Sequence, residues 1–252
     1  LFNTFNEILV NSKDRVTRLN ELYKKDKSIE RVTEIKVEIK SETGEISIMN
    51  NGDGIDVAEH PKVKKNGKLI YIPQLIFGEL LTSTNYNKDE KKVVGGKNGY
   101  GAKLTNIFSK SFKIETVDRI RKKKYTQLFR GNMKIISKPK ITDYGGKPYT
   151  KVTWTSDFGR FGIDNYSEDM INLMIRRVYD IAGITDKSVS VYLNKKKLSI
   201  KSFMDYSKMY LTDETIVYEE LIENGIPWKI GVTLSKTDKF EQVSFVNGIS
   251  NP

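Results

Sequence analysis

The chain contains no cysteine and a single histidine, His60. Disulfides and cysteine-held metals are therefore excluded. Histidine-cluster metal sites are excluded as well, and a serine–histidine mechanism has only one residue to draw on. No apolar run is long enough to cross a bilayer, and no signal peptide opens the chain. The chain begins without Met, directly in an amphipathic pattern, as expected of a piece of something longer. Acidic residues are in deficit: 32 Asp+Glu stand against 43 Lys+Arg, for a formal charge of +11. A basic surface suits a polyanionic partner such as nucleic acid or nucleotide phosphates. Lysine used as a general solubiliser accounts for the same number equally well. What is present is adequate for a core. Of 252 residues, 38% are hydrophobic and 10% aromatic, which allows one large domain or one domain plus part of a second.

Leu1, Phe5, Ile8 and Leu9 recur at helical spacing, so the opening is read as an amphipathic helix. Residues 32–40 alternate and form a strand. Gly44 turns the chain, and Ile46 and Ile48 continue as the hairpin partner. Asn50-Asn51-Gly52-Asp53-Gly54 is a tight Gly-rich turn. Residues 73–82 form a short helix, and 83–103 a long polar loop that enters another helix near Ala102–Ser109. A loop of that length in a compact domain is usually functional. Four alternating runs between Phe112 and Trp154 predict an antiparallel meander. Residues 167–182 form a helix capped by Ser167 and stopped by Gly183. Two strands joined at Asn194-Lys195-Lys196 follow, and a new strand run starts at Trp228. The expected fold class is an α/β two-layer sandwich, with a domain boundary near residue 220.

Three pieces can carry chemistry. Glu7, Asn11 and Asp14 project from one face of the first helix, off its apolar stripe. Asn11 can offer an oxygen to Mg²⁺, a hard cation that keeps several waters, and Glu7 can polarise a water aimed at a phosphate. Taken alone, such a face is more often simply solvated. The Asn50–Gly54 turn offers a side-chain amide beside glycines that permit close backbone approach; taken alone, it is more often an ordinary hairpin turn. Gly95-Gly96-Lys97-Asn98-Gly99-Tyr100-Gly101-Ala102-Lys103 leads into a helix, where backbone N–H groups and lysines can face a polyphosphate. It is neither a Walker A loop, which needs Gly-Lys-Ser/Thr at a fixed offset, nor a dinucleotide fingerprint, which needs a further glycine.

The three pieces in this order resemble the GHKL ATPase superfamily, which comprises type II topoisomerases, ninety-kilodalton heat-shock chaperones, MutL proteins and sensor histidine kinases. EILVNSKD at 7–14, NNGDGI at 50–55, LIFGELLTSTNY at 75–86 and GGKNGYGAKLTNIFS at 95–109 are similar to the eukaryotic-type (type IIA) topoisomerase II branch. RRVYDIAG at 176–183 and SFVNGIS at 244–250 extend the resemblance over essentially the whole chain. Asn50 stands where other branches usually carry Asp, which favours this branch over a MutL-like ATPase. Arg15 departs from the Asn often found at its position.

The resemblance implies the Bergerat form of the sandwich: a mixed, mostly antiparallel sheet with helices on one face. It divides the chain into an ATPase domain over 1–220 and the beginning of a transducer domain over 221–252. It implies ATP and Mg²⁺ as cofactors. Glu7 would be the general base and Asn11 the Mg²⁺ ligand. Asn50 would contact the adenine, with Ile55 lining its pocket and Thr150 on the adenine side through water. Ser83, Thr84 and Asn85 would hold the ribose and inner phosphates. Gly96, Lys97, Asn98, Gly99, Tyr100, Gly101, Ala102 and Lys103 would form the lid. The family completes its site with a Gln-Thr-Lys loop of the transducer, and no such motif occurs before Pro252. Double-stranded DNA, a homodimer in the full-length enzyme and a nuclear address come from the resemblance alone. The remaining alternative is a basic DNA-binding module with a vestigial nucleotide pocket. Arg121-Lys122-Lys123-Lys124 and Lys195-Lys196-Lys197 are basic clusters at turns, readable either as solvated hairpin tips or as contacts to DNA phosphates.

Overall fold

The structure is a computed structural model and describes residues 1–79, 100–210, 217–223, 226–235 and 239–251. The chain opens on helix α1, Phe2–Lys25. Its stripe of Phe5, Ile8, Leu9, Val16 and Leu19 is buried, and Lys24 and Lys25 in its last turn complement the helix dipole. The hairpin expected next is β1, Glu34–Lys40, and β2, Glu45–Asn51, in antiparallel register from Ile35↔Asn50 to Lys40↔Glu45. A second hairpin follows, β3 at Glu59–Lys65 and β4 at Lys68–Tyr71. It turns on Asn66 and Gly67, both at positive φ. Helix α2 covers Ile72–Gly78 and helix α3 Gly101–Ile107.

Strands β5, Ser109–Asp118, β6, Lys123–Arg130, β7, Ile135–Ile136, β8, Lys140–Asp143, and β9, Tyr149–Ser156, come next. They do not form the simple meander expected. β9 passes back over β5 and inserts between β5 and β2. β7 and β8 are short pieces along the far side of β6. A 3-10 turn at Phe158–Phe161 leads to α4, Glu168–Ile184, whose Ser167 cap accepts from the Met170 N–H at 3.2 Å. Gly183 does not stop this helix, which runs on to Ile184. A Cβ on Gly183 would lie 2.5 Å from Tyr206 Cβ, so the glycine is there for helix packing.

β10, Ser190–Leu193, pairs parallel to β1, and β11, Lys196–Lys197, closes that edge. Helix α5, Phe203–Ser207, stacks Tyr206 on α4. The hairpins β12/β13, Val217–Glu223 with Ile226–Val232, and β14/β15, Ser244–Val246 with Ile249–Asn251, stand apart from the main sheet.

Among the described residues the main sheet runs β11-β10-β1-β2-β9-β5-β6-β7, with β8 also on β6. Period-two alternation decides its two faces. Ile35, Val37, Ile46, Ile48, Phe112, Ile114, Phe129, Val152 and Trp154 point one way, into a single core with the apolar sides of α1 and α4. Lysines and glutamates point the other way, onto an open face. The fold is therefore the expected two-layer α/β sandwich, antiparallel except at β1/β10.

Candidate active site

Helix α1 presents two functional sides because its apolar stripe leaves Glu7, Asn11, Asp14 and Arg15 on another. Glu7 and Asn11 are exposed, while Asp14 and Arg15 are half-buried. The Glu7 carboxylate lies against the first residue of α3: a Cβ on Gly101 would fall 2.0 Å from Oε2 and 2.6 Å from Cδ. Although the residue opens to solvent on one side, burial at its carboxylate end pushes the pKa above the usual glutamate value, and the charge of Asp14 adds to the shift. α3 is fastened to α1 by the Thr105 hydroxyl, which lies 3.0 Å from the Thr4 carbonyl, and to α2 by Asn106 Nδ2, which donates to the Phe77 carbonyl at 3.1 Å.

The other end of the chemical face is also anchored. The Arg15 guanidinium pairs with both oxygens of Asp53 in the Gly-rich turn. A further donation, from Nε to Asp53 Oδ1, spans 3.1 Å. Arg15, which departs from the Asn often found at this position in the branch the sequence resembles, thus ties the helix to the turn. That turn is glycine-dependent at Gly54: its φ is +72°, and a Cβ would lie 1.8 Å from the Val117 carbonyl oxygen. Asn51 does not face the site. Its Oδ1 accepts from the Thr33 and Glu34 N–H groups at 2.8 and 2.9 Å, pinning the start of β1.

Asn50 is buried at 8% exposure on the core-facing side of β2, directly opposite Thr150 of β9. Its amide donates to the Asn51 carbonyl at 2.8 Å. Thr116 of β5, which the sequence reading missed, organises this end of the sheet. Its hydroxyl accepts from the Ile55 N–H at 2.9 Å, donates to the Tyr149 carbonyl at 3.1 Å and lies 3.0 Å from the Thr150 hydroxyl. Ile55, Asn50 and Thr150, expected around one adenine pocket, are thereby brought together. Asp118, also missed, accepts from the Val57 N–H at 2.8 Å and from the Ile120 and Arg121 N–H groups at 2.8 and 2.9 Å. Burial alone would raise its pKa, but these hydrogen bonds and the Arg121 guanidinium outweigh it and hold the carboxyl below the usual range. The signal for both residues was their inward parity on a strand that is otherwise apolar on that side.

Ser83, Thr84, Asn85, Gly96, Lys97, Asn98 and Gly99 lie outside the described residues. Of the expected lid, Tyr100 caps α3 and Gly101 meets Glu7, while Ala102 and Lys103 are buried within α3. Burial lowers the Lys103 pKa, and the charge of Glu79 acts against that lowering. His60 is spent locally, with Nδ1 accepting from the Val63 N–H at 3.2 Å.

No family model matches the chain. Comparison with curated proteins finds DNA topoisomerase 2-beta of Gallus gallus, 45% identical over 255 residues, covering 99% of this chain and 15% of the relative. DNA topoisomerase 2-alpha of Homo sapiens is 42% identical over 258 residues, covering 99% of this chain and 16% of the relative. Among solved structures, the ATPase region of Saccharomyces cerevisiae topoisomerase II superposes with a TM-score of 0.87 at 44% identity, covering 99% of this chain and 62% of that one. The ATPase domain of Thermus thermophilus gyrase B, at 18% identity and a TM-score of 0.61, shares the fold over 90% of this chain and 55% of its own. The chain spans about one-sixth of the length of the curated relatives it matches. With more than two-fifths of its residues identical along nearly its whole length, the chain belongs to the eukaryotic-type topoisomerase II family and corresponds to that family's N-terminal GHKL ATPase domain.

Proposed function

We propose that residues 1–252 bind Mg²⁺-ATP between the chemical face of α1 and the Asn50–Thr150 end of the sheet, and that Glu7 takes the proton of the attacking water. The observation that carries this reading is the double anchoring of α1: Glu7 against Gly101 at one end, Arg15 against Asp53 at the other. It fixes the face that carries Glu7, Asn11 and Asp14 at both ends, and through Asp53 it joins that face to the turn between Asn50 and Ile55, whose N–H the Thr116 hydroxyl holds. Asn11, exposed and without a hydrogen bond to any described residue, leaves its amide oxygen available to Mg²⁺, with phosphates and waters completing the shell. When bound, the ion neutralises phosphate charge. Ser83, Thr84, Asn85 and the segment from Gly96 to Lys103 belong to the same proposal as ribose and phosphate contacts.

In the full-length enzyme this region would drive ATP-gated closure of a homodimer around a DNA duplex in transit, with a nuclear address. Residues 1–220 would form the ATPase domain and 221–252 the beginning of the transducer, a division that falls within β12. No described helix is long and apolar enough to cross a membrane. The testing experiment is titration calorimetry of the chain with Mg²⁺-ADP and with a non-hydrolysable ATP analogue. Saturable binding lost in Asn50→Ala supports the site; unchanged binding in that variant places the nucleotide elsewhere.

A further inference from the structure

Charge on this molecule is unevenly neutralised. On the open face of the sheet, lysines are matched by glutamates: Lys36 with Glu34 at 2.7 Å, Lys40 with Glu45 at 2.6 Å, and Lys113 and Lys124 with Glu115 at 3.2 and 3.5 Å. The Lys195–Lys197 cluster has a structural reason of its own. Lys196 and Lys197 are β11, the edge strand of the main sheet, and lysine on an edge strand blocks pairing with another chain.

The end of α1 differs. Lys25 closes the helix, and Lys27 and Arg31 in the following loop lie over the ring of Tyr23 at 4.2 and 5.2 Å. The β5–β6 turn reaches the same place. The Arg119 guanidinium donates to the Ser28 carbonyl at 2.5 Å, and its charge acts on Asp26. Within that turn Arg121 is neutralised by Asp118 at 2.9 Å and Lys123 by Asp143 at 2.6 Å. Lys25, Lys27, Arg31, Arg119 and Lys122 have no ion-pair partner among the described residues. Asp26 and Glu30 are the acids interspersed with them, and five cations against two carboxylates leave the surface with an excess of positive charge. Two segments some ninety positions apart thus pool unpaired cations on one surface. The turn carrying Arg119 and Lys122 is held from within by buried Asp118, which accepts from the Ile120 and Arg121 N–H groups.

We infer that this joined surface, and not the Lys195–Lys197 edge, seats the phosphate backbone of duplex DNA. The inference rests on the DNA-linked reading above for its choice of polyanion, but not on the nucleotide site. Long, exposed cations drawn from two segments suit an extended row of phosphates, and binding of that kind is sequence-blind and releases counterions.

The experiment measures binding of a labelled mixed-sequence duplex to residues 1–252 between about 50 and 200 mM salt. Two variants are compared, K25E/K27E/K122E and K195E/K196E/K197E. Each lowers the net charge by the same amount, so bulk electrostatics is controlled, and Arg119 is left in place as the joint. For the first variant, the slope of log affinity against log salt is expected to fall by about 2 to 3, at roughly 0.9 for each phosphate no longer neutralised. For the second it is expected to match the wild type. The milder K25Q/K27Q/K122Q should change the slope in the same direction, which covers any folding defect of the reversal. Equal effects of the two clusters, a larger effect at the edge strand, or no duplex binding by the wild type would each overturn the inference. Mg²⁺-ADP binding, measured on the same samples, should survive in all of them. Its absence in the wild type would sink the nucleotide reading while leaving the DNA result to stand or fall by itself.

Discussion

The first residue of α3, Gly101, lies against the Glu7 carboxylate so closely that a methyl group on it would come within 2.6 Å of the carboxylate carbon. Gly101→Ala must therefore move either the helix or the acid. The obstructing atoms are the free end of a flexible, exposed side chain. The acid should give way at a stability cost of about 0.5 kcal/mol or less, together with loss of most ATP hydrolysis in the full-length enzyme. Adding Glu7→Ala removes the obstructing atoms. Denaturant melts of the double variant should recover the stability, while hydrolysis stays absent. A larger loss that the second change does not recover would mean that Gly101 is needed for another reason.

Glu7→Gln keeps shape and removes the proposed base. Nucleotide binding should persist while hydrolysis falls about 10²- to 10⁴-fold. The raised pKa of Glu7 sets two pH signs. A base must be deprotonated, so the rising limb of the wild-type pH–rate profile should lie above the ordinary carboxylate range. For stability, a folded-state pKa raised above the unfolded value means that the folded state holds the proton more tightly. The stability so contributed is full below the ordinary glutamate range and is lost as pH rises through the raised value. Glu7→Gln escapes that loss. Its melting temperature should exceed the wild type's at neutral pH, with the gap closing in acid. A gap that is constant with pH would show that Glu7's proton is not linked to folding.

Asn11→Ala separates metal from nucleotide. Because Asn11 is proposed to act through the ion, Mg²⁺-ATP affinity should drop clearly more than metal-free ADP affinity, both read by calorimetry. Equal losses would point to direct contact or to general disturbance of α1.

Thr116→Val is close to isosteric but leaves the Ile55 N–H and the Thr150 hydroxyl without their partner. An orphaned buried donor costs about 1–3 kcal/mol. We expect that loss in denaturant midpoints, with weaker ADP binding because Ile55 lines the proposed adenine pocket. Full stability in the valine variant would show that water replaces the hydroxyl without penalty.

Gly183→Ala sets two effects against each other. Alanine in a helix interior gains about 1 kcal/mol over glycine, but its methyl would meet Tyr206 Cβ at 2.5 Å. The clash is between stiff parts of two packed helices, so the steric cost should win. The variant is expected to melt below the wild type; a higher melting temperature would show that α5 can retreat.

Gly183 also marks a limit of sequence reading. A glycine at the end of a helical pattern signals a stop, and nothing in the pattern shows that another helix lies on top of it. The strands were legible for a simpler reason: Ile35, Val37, Ile46 and Ile48 face one core and alternate. Their order was not, because the insertion of β9 between β2 and β5 is a tertiary choice that leaves the alternation of each strand unchanged. The β3/β4 hairpin could have been found from Asn66-Gly67, but β3 is polar with no buried residue, and β4 buries only Ile70, too little alternation to reveal the pair. At the site, the α1 face and the Asn50–Gly54 turn were visible as motifs. Thr116 and Asp118 showed only as polar residues at inward positions of β5, a signal that names no role until their neighbours across the sheet are known.

The pairing of Asn50 with Thr150 has a kinetic consequence. The β1/β2 and β5/β6 hairpins can close locally, but the corner proposed to face the adenine exists only once β9 has returned to lie beside β2. Pairings that are far apart in sequence are slow to nucleate, because chain entropy is lost before the new interactions repay it. The strand that completes the corner is also the strand that joins the two halves of the sheet. During refolding, binding competence should therefore be regained late, after most secondary structure has returned. A nucleotide present in the medium can trap the finished sheet but cannot hasten its first meeting.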